Sequence, residues 1–221
     1  MSIIIAMNLG GAIADDDGIC QGQSLAAGAS ATINGSLTSG GVYRNKGAAH
    51  KVKAVSAGND SNSSLTFAGK FWQSNAVSGG DYTISATLDL GNATSVTSSW
   101  YAEEITGVVA NAATASSITV GLTTDSTGVP VSLAGNSLWQ ITYAGTFGSS
   151  SVQLKRYVGP LDSVITAPVP TGEWVAIDTT TASALVANYN TPNNVTVKAF
   201  GTSLSATTQV YIQAEIINPM K

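Results

Sequence analysis

Residues 51–72, KVKAVSAGNDSNSSLTFAGKFW, restrict what this chain can fold into more than any other stretch. Val52 and Ala54 alternate with Lys51 and Lys53; Leu65, Phe67 and Phe71 alternate with Thr66, Ala68 and Lys70. Successive side chains of a strand point to opposite sides, so this period of two describes strands with one face buried and one wet. Between the two runs, Gly58-Asn59-Asp60-Ser61-Asn62 gathers residues that accept tight-turn dihedrals or cap their own backbone. The stretch predicts a β-hairpin with a loop longer than two residues.

The same pattern recurs along the chain. Tyr82, Ile84, Ala86, Leu88 and Leu90 alternate with polar neighbours, and further strands are predicted at 31–37, 98–109 and 118–122. Residues 123–136 contain Gly128, Pro130 and Gly135 and read as a domain junction. Beyond it, Trp139, Ile141, Tyr143 and Phe147 share one face, and strands are predicted at 152–157, 174–178, 195–200 and 209–217. Helical periodicity is confined to one short turn at 181–188. The expected fold is all-β, with two small antiparallel β-sandwich or barrel-like domains in tandem. The expected boundaries are an N-terminal arm at 1–13, a first domain at 14–123, a linker at 124–136 and a second domain at 137–221. Leu65, Phe67, Ile84, Leu88 and Leu90 are the expected core of the first domain. Trp139, Ile141, Val152, Leu154 and Trp174 are expected to fill the second.

Charged residues make up only 10% of the chain, well below the roughly 25% of ordinary soluble domains. Nucleic-acid binding needs Lys and Arg to neutralise phosphates, so this composition argues against it. A polar but neutral surface suits a protein that is covered in an assembly or that works outside the cell, and Ser and Thr are cheaper to desolvate than Lys or Glu. The one basic cluster, Arg44, Lys46, Lys51 and Lys53 beside His50, reads as a solvated strand edge. Cys20 is the only cysteine, which rules out an intrachain disulfide and a four-thiolate zinc site. The apolar start has no Lys or Arg before it and is broken by Asn8, unlike a signal peptide, and no apolar run has the ~18 residues of a membrane span. Ile3, Ile4 and Ile5 form either a short strand or an arm that reaches a neighbour, and they are the candidate partner contact.

Chemistry-bearing motifs are absent from the sequence. A serine triad would depend wholly on His50, and no nucleophile elbow, P-loop or dinucleotide fingerprint occurs. Adjacent Glu103 and Glu104 would point to opposite faces of a strand. Asp15-Asp16-Asp17-Gly18 lacks the spacing of an EF-hand loop and reads as a solvated turn. Trp72, Trp100, Trp139 and Trp174 are sugar-stacking platforms or, on their strand positions, packing residues. No catalytic, cofactor-binding or metal-binding residue is therefore expected.

Two stretches carry a resemblance. ADDDGICQGQSLAAGASATINGSLTSGGV, VKAVSAGNDSNSSLTFAGKF and WYAEEITGVVANAATASSITVGLT follow one another from Ala14, and their order resembles a small β domain of tailed-bacteriophage head and neck proteins. Phe71-Trp72-Gln73-Ser74 stands where that pattern has a G-T-D turn. YAGTFGSSSVQLKRYVGP, TGEWVAID and VTVKAFGTSLSATTQVYIQAEI are similar to a phage β-sandwich module. The resemblance implies a non-enzymatic virion structural protein, assembled in the host cytoplasm, most plainly a capsid decoration (cement) protein. It implies the major capsid protein or other virion proteins as partners, a homo-oligomer (a trimer, by analogy), and no cofactor, nucleic acid or membrane. Two other readings compete with it: a receptor- or glycan-binding fibre, spike or neck component, and a hydrolase.

Overall fold

The computed structural model describes residues 4–9, 14–45, 48–73, 82–128, 131–135, 137–147, 150–157, 174–181, 184–191, 193–204 and 209–219. Among these every regular element is a strand. In chain order they are β1 (Ile4–Asn8), β2 (Asp15–Gln23), β3 (Thr38–Ser39), β4 (Val42–Arg44), β5 (Ala48–Ser56), β6 (Ser64–Gln73), β7 (Tyr82–Asp89) and β8 (Ser95–Ala110). These are followed by β9 (Ile118–Gly128), β10 (Val131–Leu133), β11 (Ser137–Thr146), β12 (Ser151–Tyr157), β13 (Trp174–Thr180), β14 (Ala184–Thr191), β15 (Val195–Thr202) and β16 (Gln209–Pro219). The fold is all-β and antiparallel, in a large sheet and a smaller one.

The strands of 51–72 form where the alternation places them, but they do not pair with each other. β5 lies between β8 and β9, while β6 lies between β8 and β7. The turn cluster therefore carries the chain across the sheet instead of closing a hairpin. Asp60 fixes that crossing. Its buried carboxylate accepts from Ser56 Oγ at 2.5 Å, Ala115 N at 2.5 Å and Ser116 Oγ at 3.0 Å. Burial raises the Asp60 pKa, but the three donors outweigh it and hold the group below its ordinary value. The hairpin of this region is β6–β7, with Leu65 opposite Leu88 and Phe67 opposite Ala86.

Two cores result. In the first, Trp100 stands edge-on to Phe67 and Phe71 at ring-centroid distances of 5.3 and 5.0 Å, surrounded by Ile19, Val52, Leu65, Ile105 and Val120. A bulge separates β5 from β8 at Val52, and the Ser98 hydroxyl accepts the Val52 N–H at 2.9 Å in place of a strand carbonyl. In the second, Trp139, Ile141 and Tyr143 of β11 and Ile212 of β16 face Val152 and Leu154 of β12 and Val197 and Ala199 of β15. These strands come from the two different sheets, so this part is a β-sandwich.

Of the expected core, Leu65, Phe67, Leu88, Leu90, Trp139, Ile141, Val152 and Leu154 are buried. Ile84 is not; it is 74% exposed. A bulge at Gly69 and Lys70 leaves Ile84 without an opposite residue on β6, and among the described residues β7 pairs with no other strand. Trp174 opens β13, and its side chain lies outside the described residues. Residues 31–37 form loop and turn, tied down where Asn34 and Gly35 N–H donate to the Ile19 carbonyl. Residues 184–188, expected to include a helical turn, belong to β14.

The expected arm and linker are also strand. β1 pairs with β16 in unbroken register, Ile4 with Glu215 through Asn8 with Tyr211, and Leu9 enters the second core. The chain thus begins in the sandwich that its C-terminal half completes, and residues 15–123 are inserted between β1 and the rest. Residues 124–128 belong to β9 and 131–133 to β10. β9 pairs with β2 up to Leu122 and with β15 at Ser126 and Thr127, so one ladder joins both halves.

The crossing of β2 over β9 leaves no room at Gly121, where an added Cβ would overlap the Asp15 carbonyl. Gly121→Ala is expected to lower stability by about 1–3 kcal/mol, the usual cost of overpacking a filled site. Urea denaturation followed by far-UV circular dichroism measures the loss. An unchanged midpoint would contradict this packing.

Candidate functional site

Charged and aromatic side chains gather where the two halves meet. Four residues there form a small cluster separate from both cores: Ala49 of β5, Trp72 of β6, Tyr101 of β8 and Phe200 of β15. Lys198, also on β15, is fully buried among the three rings. Its Nζ lies 5.8 Å from the Trp72 ring centre, 5.9 Å from Tyr101 and 5.3 Å from Phe200. Period two explains the placement, because Lys198 and Phe200 share one face of β15 while Val197 and Ala199 share the other. The face that would be wet in an isolated sheet is covered here by the first half of the chain.

Three further lysines and two acids complete the seam. Lys155 of β12 is the direct cross-strand partner of Lys198, and its Nζ lies 4.6 Å from the Phe200 ring centre. Lys51 lies 5.6 Å from the Tyr101 ring and 3.5 Å from Asp125. Lys70 lies 5.0 Å from the Trp72 ring and pairs with Glu103 at 2.9 Å. Glu103 also accepts the Trp72 indole N–H at 2.7 Å. Burial pushes the Lys198 ammonium down to about 7 and lowers Lys155 as well. Their juxtaposition adds repulsion between like charges, while the ring faces favour the protonated form. On the far side of β9, the Asp125 carboxylate accepts the Ser203 N–H at 3.4 Å, and Leu204 N–H donates to the Thr124 carbonyl at 3.0 Å.

The residues singled out from sequence do not converge on this seam or on one another. The basic cluster is no strand edge: β5 is an inner strand, Lys53 pairs with Asp16 at 2.8 Å and Arg44 with Glu104 at 2.6 Å, and Lys46 lies outside the described residues. His50 is buried, its Nε2 2.7 Å from Asn45 Nδ2, and burial pushes its pKa down to about 4. Asp15, Asp16 and Asp17 stand in β2 and not in the expected turn: Asp15 accepts from Ser36 Oγ at 2.5 Å and from Asp17 N at 3.2 Å, and Asp16 pairs with Lys53. Glu103 and Glu104 face different partners, although both line a shallow recess with Arg44 and Asn45. Trp72, Trp100 and Trp139 are buried. Ile4 and Ile5 are backbone-paired with Ala214 and Glu215 of the same chain, and Ile3 lies outside the described residues. Sequence reasoning passed over Lys198; the available signal was a lysine and a phenylalanine on one face of a strand whose other face is apolar.

No protein-family model matches the chain, and neither does any curated protein.

The arrangement can couple two halves mechanically and make that coupling depend on pH. Lys198 loses its proton near pH 7 in the folded chain but near 10.5 when unfolded. Between these values the unfolded state holds more protons, so stability rises with pH across that window. His50 acts in the same sense between about 4 and its ordinary value of 6.5. Lys198→Met, which keeps the length and removes the charge, is expected to reduce the rise between pH 7 and 10 to the part that Lys155 contributes. Urea midpoints at intervals across that range test it. A variant whose slope matches the wild type would show that Lys198 is not the titrating group.

Proposed function

We propose that this chain is a non-enzymatic structural protein of a tailed-phage virion, acting on the head as a decoration (cement) protein. The observation that carries this reading is how the chemistry-bearing side chains are engaged. Trp72, Trp100 and Trp139, which would serve as stacking platforms if exposed, are spent on packing. Asp16, Glu103, Glu104 and Asp125 are paired with cations. Among the described residues, what remains exposed is mostly Ser, Thr, Asn and Gly, on a scaffold whose strands β1 and β16 are zipped together. That combination supports a role in which the protein is packed against neighbours and must resist force. The order of the sequence segments supports the phage setting.

The partners on this reading are the major capsid protein or other virion proteins, with assembly in the host cytoplasm. Self-association belongs to the same reading, and the trimer rests on analogy alone. Packing would fix the protein to the particle without a cofactor.

Particles made with and without this gene test the proposal. Electron-microscopic maps are expected to differ by discrete density on the head, and the deleted particles are expected to lose their genome at a lower temperature. Identical head density in the two maps would overturn the proposal. Density lost from a fibre or spike, together with binding of the purified protein on a glycan array, would establish the receptor-binding reading in its place.

A further inference from the structure

The outer strands of the two sheets differ in how they are protected against pairing with another chain. Natural sheets guard their edges with charge, proline, bulges or brevity. β2 carries Asp15, Asp16 and Asp17; β7 carries Asp89 and lies against a bulge; β13 carries Asp178. β3 has two residues and β10 three. β14 is uncharged, but it bulges against β11 between the partners of Trp139 and Ile141. β1 has none of these devices. Ile4-Ile5-Ala6-Met7-Asn8 is uncharged and free of proline, and its five residues pair with β16 without a register shift. Among the described residues no strand lies on its other side.

We infer that the free edge of β1 pairs with β1 of a second copy of this chain, antiparallel about a two-fold axis through Ala6. An unpaired edge presents backbone donors and acceptors that a further strand satisfies. The case for an identical strand comes from charge. A strand pairing with its own copy sets residues equally spaced from the two-fold axis opposite each other, so an axis at or beside the Asp15-Asp16-Asp17 run of β2, Asp89 of β7 or Asp178 of β13 would bring like charges together. β1 has no charge to oppose itself. With the axis at Ala6, Ile4 faces Asn8 of the partner, Ile5 faces Met7, and all five residues are used. The two small sheets then join through β16–β1 of one copy and β1–β16 of the other, as one eight-stranded sheet. The product is an isologous dimer, not the trimer that the phage resemblance implies. The inference rests on the sheet edge alone, so its failure would leave the virion reading standing.

Sedimentation velocity of the whole chain tests the pairing. A five-residue strand contact is small, and such interfaces are weak, so loading concentrations should run from about 10 µM to about 1 mM. The weight-average mass is expected to rise towards twice that of the monomer. A monomer throughout that range would overturn the inference. Ala6→Lys and Ala6→Glu are each expected to abolish the rise, and an equimolar mixture of the two to restore it. If both variants self-associate as the wild type does, the contact lies elsewhere and the inference fails. If the mixture stays monomeric or a charged variant loses its β-sheet circular dichroism, the milder Ala6→Cys decides. Mild oxidation should link two copies covalently through that position, since Cys20 is buried; absence of the linked dimer would overturn the pairing.

Discussion

The structure depends on a short ladder between β9 and β15. Ser126 pairs with Gly201 and Thr127 with Phe200, and this is where the sheet of the first half continues into the sheet of the second. Side chains reinforce the join from both faces. Thr127 Oγ1 donates to the Ala199 carbonyl at 3.0 Å, and Ser126 Oγ donates to the Leu9 carbonyl at 3.1 Å. The second bond reaches the residue that follows β1, so one two-residue segment holds the middle, the end and the beginning of the chain. Lys198 and its three rings cover the same join. Burying an ammonium is costly, and the aromatic faces offset only part of that cost, about 0.5–2 kcal/mol for each good contact. The seam therefore exchanges some stability for a protonation-dependent contact.

The topology gives this join its mechanical meaning. Because β1 pairs with β16 and the first core is inserted between β1 and the rest, the two halves are connected twice. One connection follows Leu9 into β2, and the other is β9 itself. Separating the halves requires breaking the seam as well as extending those connections. Halves joined in this way resist separation better than two domains on a single linker.

Much of the fold could be read from period-two alternation, since nearly all of the strand regions it marks are strands and most of the side chains it assigns to the core are buried. Pairing was less legible. The turn cluster around Asp60 looks like a hairpin loop because Gly, Asn and Ser favour turns locally, whereas its actual path is set by contacts from Asp60 to Ala115 and Ser116, some 55 residues away. Alternation also misplaced Ile84, because a bulge on β6 changes what lies opposite it. The join itself was the least visible element. Residues 126–128 are Ser, Thr and Gly, all buried, so the strand carries no apolar signal and resembles the linker that Pro130 and Gly135 imply. Lys198 was hidden for a related reason: a lysine on an alternating strand reads as wet unless the opposing surface is known.

Hydrogen exchange at increasing urea, read separately on β6 in the first core and β11 in the second, tests the central claim that the seam makes the two halves one cooperative body. If the β9–β15 ladder and the Lys198 cluster couple them, the slowest amides of both strands will lose protection at the same urea concentration. Two separate midpoints, with one core exchanging while the other remains protected, would contradict it.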